Sequence, residues 1–205
     1  MISESDTYLT IKESASGEYK DKGSRFLSYS FPIASEPEAK KIIQDLRNKY
    51  HDARHHCFAY RIGFEGEISR LNDDGEPSGT AGKPIMGQLL SKNITNVLVV
   101  VVRYFGGILL GTSGLIHAYR SATIDALSNS EIIEKTIQYI YQVNFQYEVM
   151  NTVMKILKEE KINQFDQNFD LSCNMKISVR KNQSEQIIQK LQSIQSVVVE
   201  FSETR

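Results

Sequence analysis

The chain is poor in cysteine, in proline and in net charge. Of its 205 residues only two are cysteines, Cys57 and Cys173, and four are prolines. Cysteines so far apart make neither a CxxC pair nor a disulfide framework, so a reducing, cytoplasmic setting is expected. The net charge of −1 excludes a chain that holds nucleic acid by its overall field. Any such binding needs a local patch. No apolar run approaches the roughly 20 residues that span a bilayer, so no membrane partner is expected. The first residues, MISESDTYLTIKES, have no basic start and no apolar core, so no signal peptide is expected. Glycine, proline and histidine are all missing after Lys135. That break divides the chain into expected domains of residues 1–135 and 136–205. Charge does not separate them. With 40% hydrophobic and 24% charged residues, the composition is that of a globular protein.

The part after Lys135 is rich in Gln and Asn and regular in pattern. Ile137, Tyr139, Tyr141, Val143, Phe145 and Tyr147 alternate with mostly polar residues, as in a half-buried strand. Met150, Val153, Met154 and Leu157 follow at helical spacing. Residues 162–169 form a weaker strand, and Leu171, Cys173, Met175, Ile177 and Val179 alternate again. Ile187, Ile188, Leu191 and Ile194 mark a second helix, and residues 197–201 a last strand. The order βαββαβ predicts a ferredoxin-like antiparallel sheet with both helices on one face. Cys173 is a core residue in that reading.

The first part carries the most informative segment, VLVVVVRYFGGILLGTSGLIHAY at 97–119. Six apolar residues from Val97 to Val102 require burial on both faces of a central strand. The strand stops at Arg103, Tyr104, Phe105 and the pair Gly106-Gly107. Gly111 and Gly114 then lead into a helix over 115–127. Backbone N–H groups and a helix N-terminus lie where an anion could sit. The glycines match neither G-x-G-x-x-G nor a P-loop. They equally suit a tight turn and close helix–strand packing.

Elsewhere, residues 8–13 and 24–33 read as strands. Residues 35–50 read as a helix with Ser35 as its cap and Ala39, Ile42, Ile43 and Leu46 on one face. Residues 58–64 and 67–71 look like a hairpin. A loop over 72–82 and a short helix starting at Pro84 complete an α+β domain with its helices on one face.

Candidate chemistry is spread over four features. His51, His55, His56 and Cys57 crowd together, but no second ligand cluster accompanies them. A polar rim with Cys57 turned inward is therefore favoured over zinc. Asp73, Asp74 and Glu76 could hold a divalent cation, or serve as turn residues. Arg54, His55, His56, Arg61, Lys83, Arg103 and Arg120, with Tyr60, Tyr104 and Phe105, could form a phosphate-and-stacking surface if they converge. Ser113 has no base at a recognisable spacing and reads as a helix cap. No catalytic constellation and no cofactor is implied.

Several blocks resemble bacterial members of the IMPACT/YigZ family. They are Lys22-Gly-Ser-Arg-Phe26, His51-Asp-Ala-Arg-His-His-Cys57 with Tyr60, and Asp74-Gly-Glu-Pro-Ser-Gly-Thr-Ala-Gly-Lys-Pro84. The strongest is Val99-Val-Val-Val-Arg-Tyr-Phe-Gly-Gly-Ile-Leu-Leu-Gly111, continued by Gly114-Leu-Ile-His-Ala-Tyr119. The resemblance covers the first domain; the second matches by pattern. It implies an N-terminal fold like domain IV of elongation factor G and a C-terminal one like its domain V. It also implies a non-enzymatic role in translation or its regulation, with RNA or the ribosome as partner. Eukaryotic relatives regulate translation by competing for an activator of a stress-responsive kinase. The upstream ligand module of those relatives is not expected here. The expected binding residues are Arg54, His55, His56, Arg61, Lys83, Arg103, Tyr104, Gly106, Gly107 and Arg120. A small-anion-binding enzyme using the turn at 106–114 and a protein-interaction module are the alternatives. The oligomeric state is left open.

Overall fold

The structure, a computed structural model, describes residues 6–170 and 172–205. Leu171 and the first five residues, which the readings above include, lie outside the described residues. The chain forms two compact units, one of Tyr8–Lys135 and one of Thr136–Arg205 with Asp6 and Thr7.

The first unit runs β1 (Thr7–Ile11), β2 (Ala15–Asp21), β3 (Ser24–Pro32), α1 (Glu36–Lys49), β4 (His55–Ile62) and β5 (Ile68–Asn72). It continues with α2 (Gly82–Ser91), β6 (Val97–Tyr104), α3 (Gly111–Ser128) and β7 (Ile132–Thr136). Five strands form an antiparallel sheet in the order β2-β3-β6-β4-β5, and β1 pairs with β7 in a separate ribbon. The strand β6 is central, and all six residues from Val97 to Val102 are fully buried.

Alternation along β6 sends Val97, Val99 and Val101 to one core, and Leu98, Val100 and Val102 to another. The first core is closed by Ile85 and Leu89 of α2 and by Leu115, Ala118, Tyr119 and Ala122 of α3. The second is closed by Ala39, Ile43 and Leu46 of α1. The helices therefore cover both faces, not one. This is the packing that an uninterrupted apolar strand demands, since each face of β6 must be taken out of water.

Helix α1 starts where its capping chemistry places it. The Ser35 hydroxyl accepts from the Glu38 N–H at 3.4 Å, and the Glu38 carboxylate accepts from the Ala34 N–H at 2.8 Å. Pro84 is the third residue of α2 rather than the first, because the helix begins at Gly82.

The second unit runs β8 (Gln138–Gln146), α4 (Met150–Glu159), β9 (Asn163–Phe169), β10 (Ser172–Arg180), α5 (Ser184–Gln192) and β11 (Val197–Thr204). Its sheet order is β11-β8-β10-β9, antiparallel throughout. That is the ferredoxin-like arrangement. Val153, Leu157, Ile187 and Leu191 of the helices pack on Val143, Cys173, Met175 and Ile177 of the strands.

Candidate functional site

Strand register gathers most of the candidate residues at one end of the five-stranded sheet. Asp21 pairs with Ser24 across a two-residue turn, Arg25 with Tyr104, His55 with Arg103, and Phe58 with Asn72. The β2–β3 turn, the start of β4 and the ends of β5 and β6 thus lie together. Lys22 and Gly23 hold the turn with φ of 45° and 80°, as a tight hairpin between twisted strands requires.

The loop between β5 and α2 folds onto this end, and its three carboxylates diverge. Asp73 accepts from the N–H groups of Gly79 (2.8 Å), Ala81 (3.0 Å) and Gly82 (2.8 Å). It supplies the cap that Ala81, at the helix boundary, cannot. Burial alone would raise its carboxyl pKa. The three N–H donors outweigh that and hold it below 3.8. Asp74 accepts from Arg47 and from the His56 N–H, both at 2.7 Å. Glu76 accepts from Arg103 at 2.6 Å and from the Tyr119 hydroxyl at 2.8 Å. These oxygens point at different partners. No group of three or more His, Cys, Asp or Glu that could hold a metal ion occurs among the described residues.

Arg103 is built into this buried network. Its side chain is 7% exposed and that of Glu76 3%. Its guanidinium carbon lies 5.4 Å from the Phe26 ring centroid and 5.7 Å from that of Phe105. Its Nε has no partner. The chain of bonds continues to Cys57, whose thiol meets the Tyr119 hydroxyl at 3.3 Å and the Asp73 carbonyl at 3.0 Å. Burial pushes the Cys57 thiol and the Tyr119 phenol far up, so both stay protonated.

The other candidates divide. His55 Nδ1 lies 2.8 Å from the Asp74 carbonyl, and His56 is 5% exposed on the α1 side, with Nε2 unpartnered. Burial lowers the His56 pKa against the pull of Asp74. Arg54 and Lys83 are exposed at the same end, as is Lys22. The Tyr104 hydroxyl donates to Asp52 at 2.7 Å, and that bond, first, pushes its pKa up to about 12. Arg61 goes elsewhere: it crosses from Val97 at the far end and donates to the carbonyls of Ile94 and Glu65. Arg120 sits exposed midway along α3, away from the turn.

The glycine turn is tight as expected, but its close approach is to the β2–β3 turn rather than of helix on strand. Gly107 has φ of 87°. A Cβ on Gly106 would stand 1.9 Å from the Gly23 carbonyl carbon, so the two turns touch backbone to backbone. Gly106 N–H donates to the Ser24 hydroxyl at 3.1 Å. Leu110, not Ser113, occupies the cap position of α3, and no side chain caps that helix. The sequence did not point to the exposure of the turn's apolar residues. Phe105, Ile108 and Leu109 are 53%, 56% and 83% exposed.

Sheet, capped loop and glycine turn define a class: a two-domain α+β protein whose first unit carries every candidate residue and whose second unit is ferredoxin-like. Residues 22–127 match the Impact N-terminal domain, and the chain belongs to the IMPACT family. IMPACT family member YvyE of Bacillus subtilis is 36% identical over 155 residues, which cover 76% of this chain and 71% of that protein. IMPACT family member YigZ of Escherichia coli is 38% identical over 138 residues, 66% of this chain and 68% of that one. A crystal structure of a hypothetical protein superposes with a TM-score of 0.74 at 28% identity, covering 97% of this chain and 98% of that one. No helix among the described residues is long and apolar enough to cross a membrane.

Proposed function

We propose that this chain binds RNA, free or within the ribosome, and acts in translation or its regulation without chemistry of its own. The observation that carries the reading is the end of the five-stranded sheet. There the exposed cations Lys22, Arg54 and Lys83 stand on the same rim as the glycine turn. The turn leads into α3, whose first N–H groups have no side-chain cap. The N-terminus of α2, by contrast, is already closed by Asp73. Helix N–H groups without a side-chain cap, reached through a turn on the same rim as the cations, suit phosphate oxygens, and such contacts position a nucleic acid. The cations make a local patch on a chain of net charge −1. Arg103 supports the site from beneath, through Glu76, rather than by touching RNA.

The test is co-sedimentation with ribosomes and with total RNA at low and high salt. Binding should weaken as salt rises, because counterion release then contributes less. Arg54→Ala with Lys83→Ala should weaken it further and flatten the salt dependence. No co-sedimentation at low salt would sink the reading. A second reading is favoured by one observation, the exposure of Ile108 and Leu109. Two aliphatic side chains held in water on a turn fit a protein partner. Loss of a pulled-down ribosomal protein in Leu109→Ser, with RNA binding intact, would favour it.

A further inference from the structure

We infer that the α1-side face of β2 and β3, which no helix of the first unit covers, is a stacking platform for unpaired RNA bases, continuous at Tyr104 with the sheet end described above. The inference rests on the RNA-binding reading and names the form of RNA it takes.

The two halves of the sheet are not covered alike. Helix α1 lays Ala39, Ile43 and Leu46 over Tyr60 and Ile62 of β4 and over Leu98, Val100 and Val102 of β6. Helix α3 covers β2 and β3 on the opposite face. The α1-side face of β2 and β3 is therefore left without a helix within this unit. A sheet face open to water normally carries polar side chains. Here β3 presents Leu27, Tyr29 and Phe31, all half-buried.

The rings form a row. Tyr29 and Phe31 lie with centroids 6.5 Å apart and planes 27° from parallel. Tyr29 and Tyr50, the latter at the end of α1, lie 5.8 Å apart and 25° from parallel. Their hydroxyls are hydrogen-bonded to each other. The Lys49 ammonium stands 5.1 Å from the Tyr50 centroid and 5.9 Å from that of Tyr29. Lys49 is exposed and joins none of the ion pairs among the described residues. Tyr104 extends the row toward the glycine turn, opposite Arg25 in the register.

Near-parallel aromatic rings beside an ammonium that joins no ion pair among the described residues match a base and its phosphate. Aromatic rings accept any base by its π-face, but only a base already out of a duplex can reach them. The charges agree. Lys20, Arg25 and Lys49 stand against Glu18 and Asp52, and Glu18 is held by both Arg25 and Lys20. The surface is thus apolar in its middle and weakly cationic at its margins.

The test uses the full chain, a short labelled oligouridylate and an RNA duplex of the same length, read by fluorescence anisotropy at low salt. The single strand should bind more tightly than the duplex. Tyr29→Leu keeps apolar bulk and removes the ring, and should weaken single-strand binding about tenfold, the scale of one lost base stack. Lys49→Gln should weaken it less and reduce its salt slope. If Tyr29→Leu lowers the melting temperature too far for comparison, Phe31→Leu at the end of the row asks the same question. Parent-like binding by the folded ring variants, or a preference for duplex, overturns the platform and leaves RNA binding standing. Ribosome co-sedimentation without oligonucleotide binding does the same. Failure of both overturns the platform and the functional reading together.

Discussion

Removing the Glu76 carboxylate should destabilise the first unit severely, because it would leave a guanidinium buried without its counter-charge. Arg103 exposes 7% of its side chain and its Nε already lacks a partner. Glu76→Ala deletes the single oxygen, Oε1, that accepts from Arg103 at 2.6 Å and from the Tyr119 hydroxyl at 2.8 Å. Breaking one side of a buried pair costs about 3–5 kcal/mol. The Tyr119 O–H, left without its carboxylate acceptor, adds about 1 kcal/mol. For a chain of this size the total corresponds to a fall in Tm of roughly 8–24 °C. Glu76→Gln keeps an acceptor for Tyr119 and should lose less. The double variant Glu76→Leu with Arg103→Met should recover at least half of the loss, since no buried charge remains. Thermal and urea unfolding followed by circular dichroism measure this; the chain has no tryptophan to report it by fluorescence. A Glu76→Ala variant within about 1 kcal/mol of the parent would refute the buried-pair argument. Arg103 would then be free to serve as a ligand contact.

Three further outcomes follow from the same geometry. Gly106→Ala should be worse tolerated than Gly107→Ala: the first drives a Cβ into the Gly23 backbone, while the second meets open space and opposes only a φ of 87°, a cost of roughly 1 kcal/mol; equal melting points for the two would contradict the turn contact. Asp73→Ala should lower stability at neutral pH by about 1–2 kcal/mol through the loss of its cap. Because the folded carboxyl pKa lies below 3.8, the parent's advantage should be complete above that pH and fade as pH falls through the folded value, and an advantage that grew on acidification would reverse the assignment. A fragment of residues 136–205 should fold alone, as chains of about 55–65 residues can. It should melt below the full chain's second unit, having lost the Arg180 partner Asp6; a collapsed amide spectrum would count against an autonomous unit.

Local periodicity alone determined much of this protein. The alternation of Tyr139, Tyr141, Val143 and Phe145 and the helical spacing of Met150, Val153 and Leu157 place β8 and α4 within a residue or two. The run from Val97 to Val102 marks a strand buried on both faces, since no other environment suits six apolar side chains in extended backbone. Arg103 at its end, and the backbone demand on the glycine pair, were equally legible. Other features carry no local signature. The strand β2 alternates between exposed and half-buried residues and owes its existence to pairing with β3. The choice of Glu76 over Asp74 as partner of Arg103, the diversion of Arg61 to the far end, and the meeting of Tyr50 with Tyr29 all depend on register between distant segments. A residue's own neighbours set its backbone angles and the face it takes. Which side chain waits across the sheet is set by strands and loops far along the chain, and only their packing decides it.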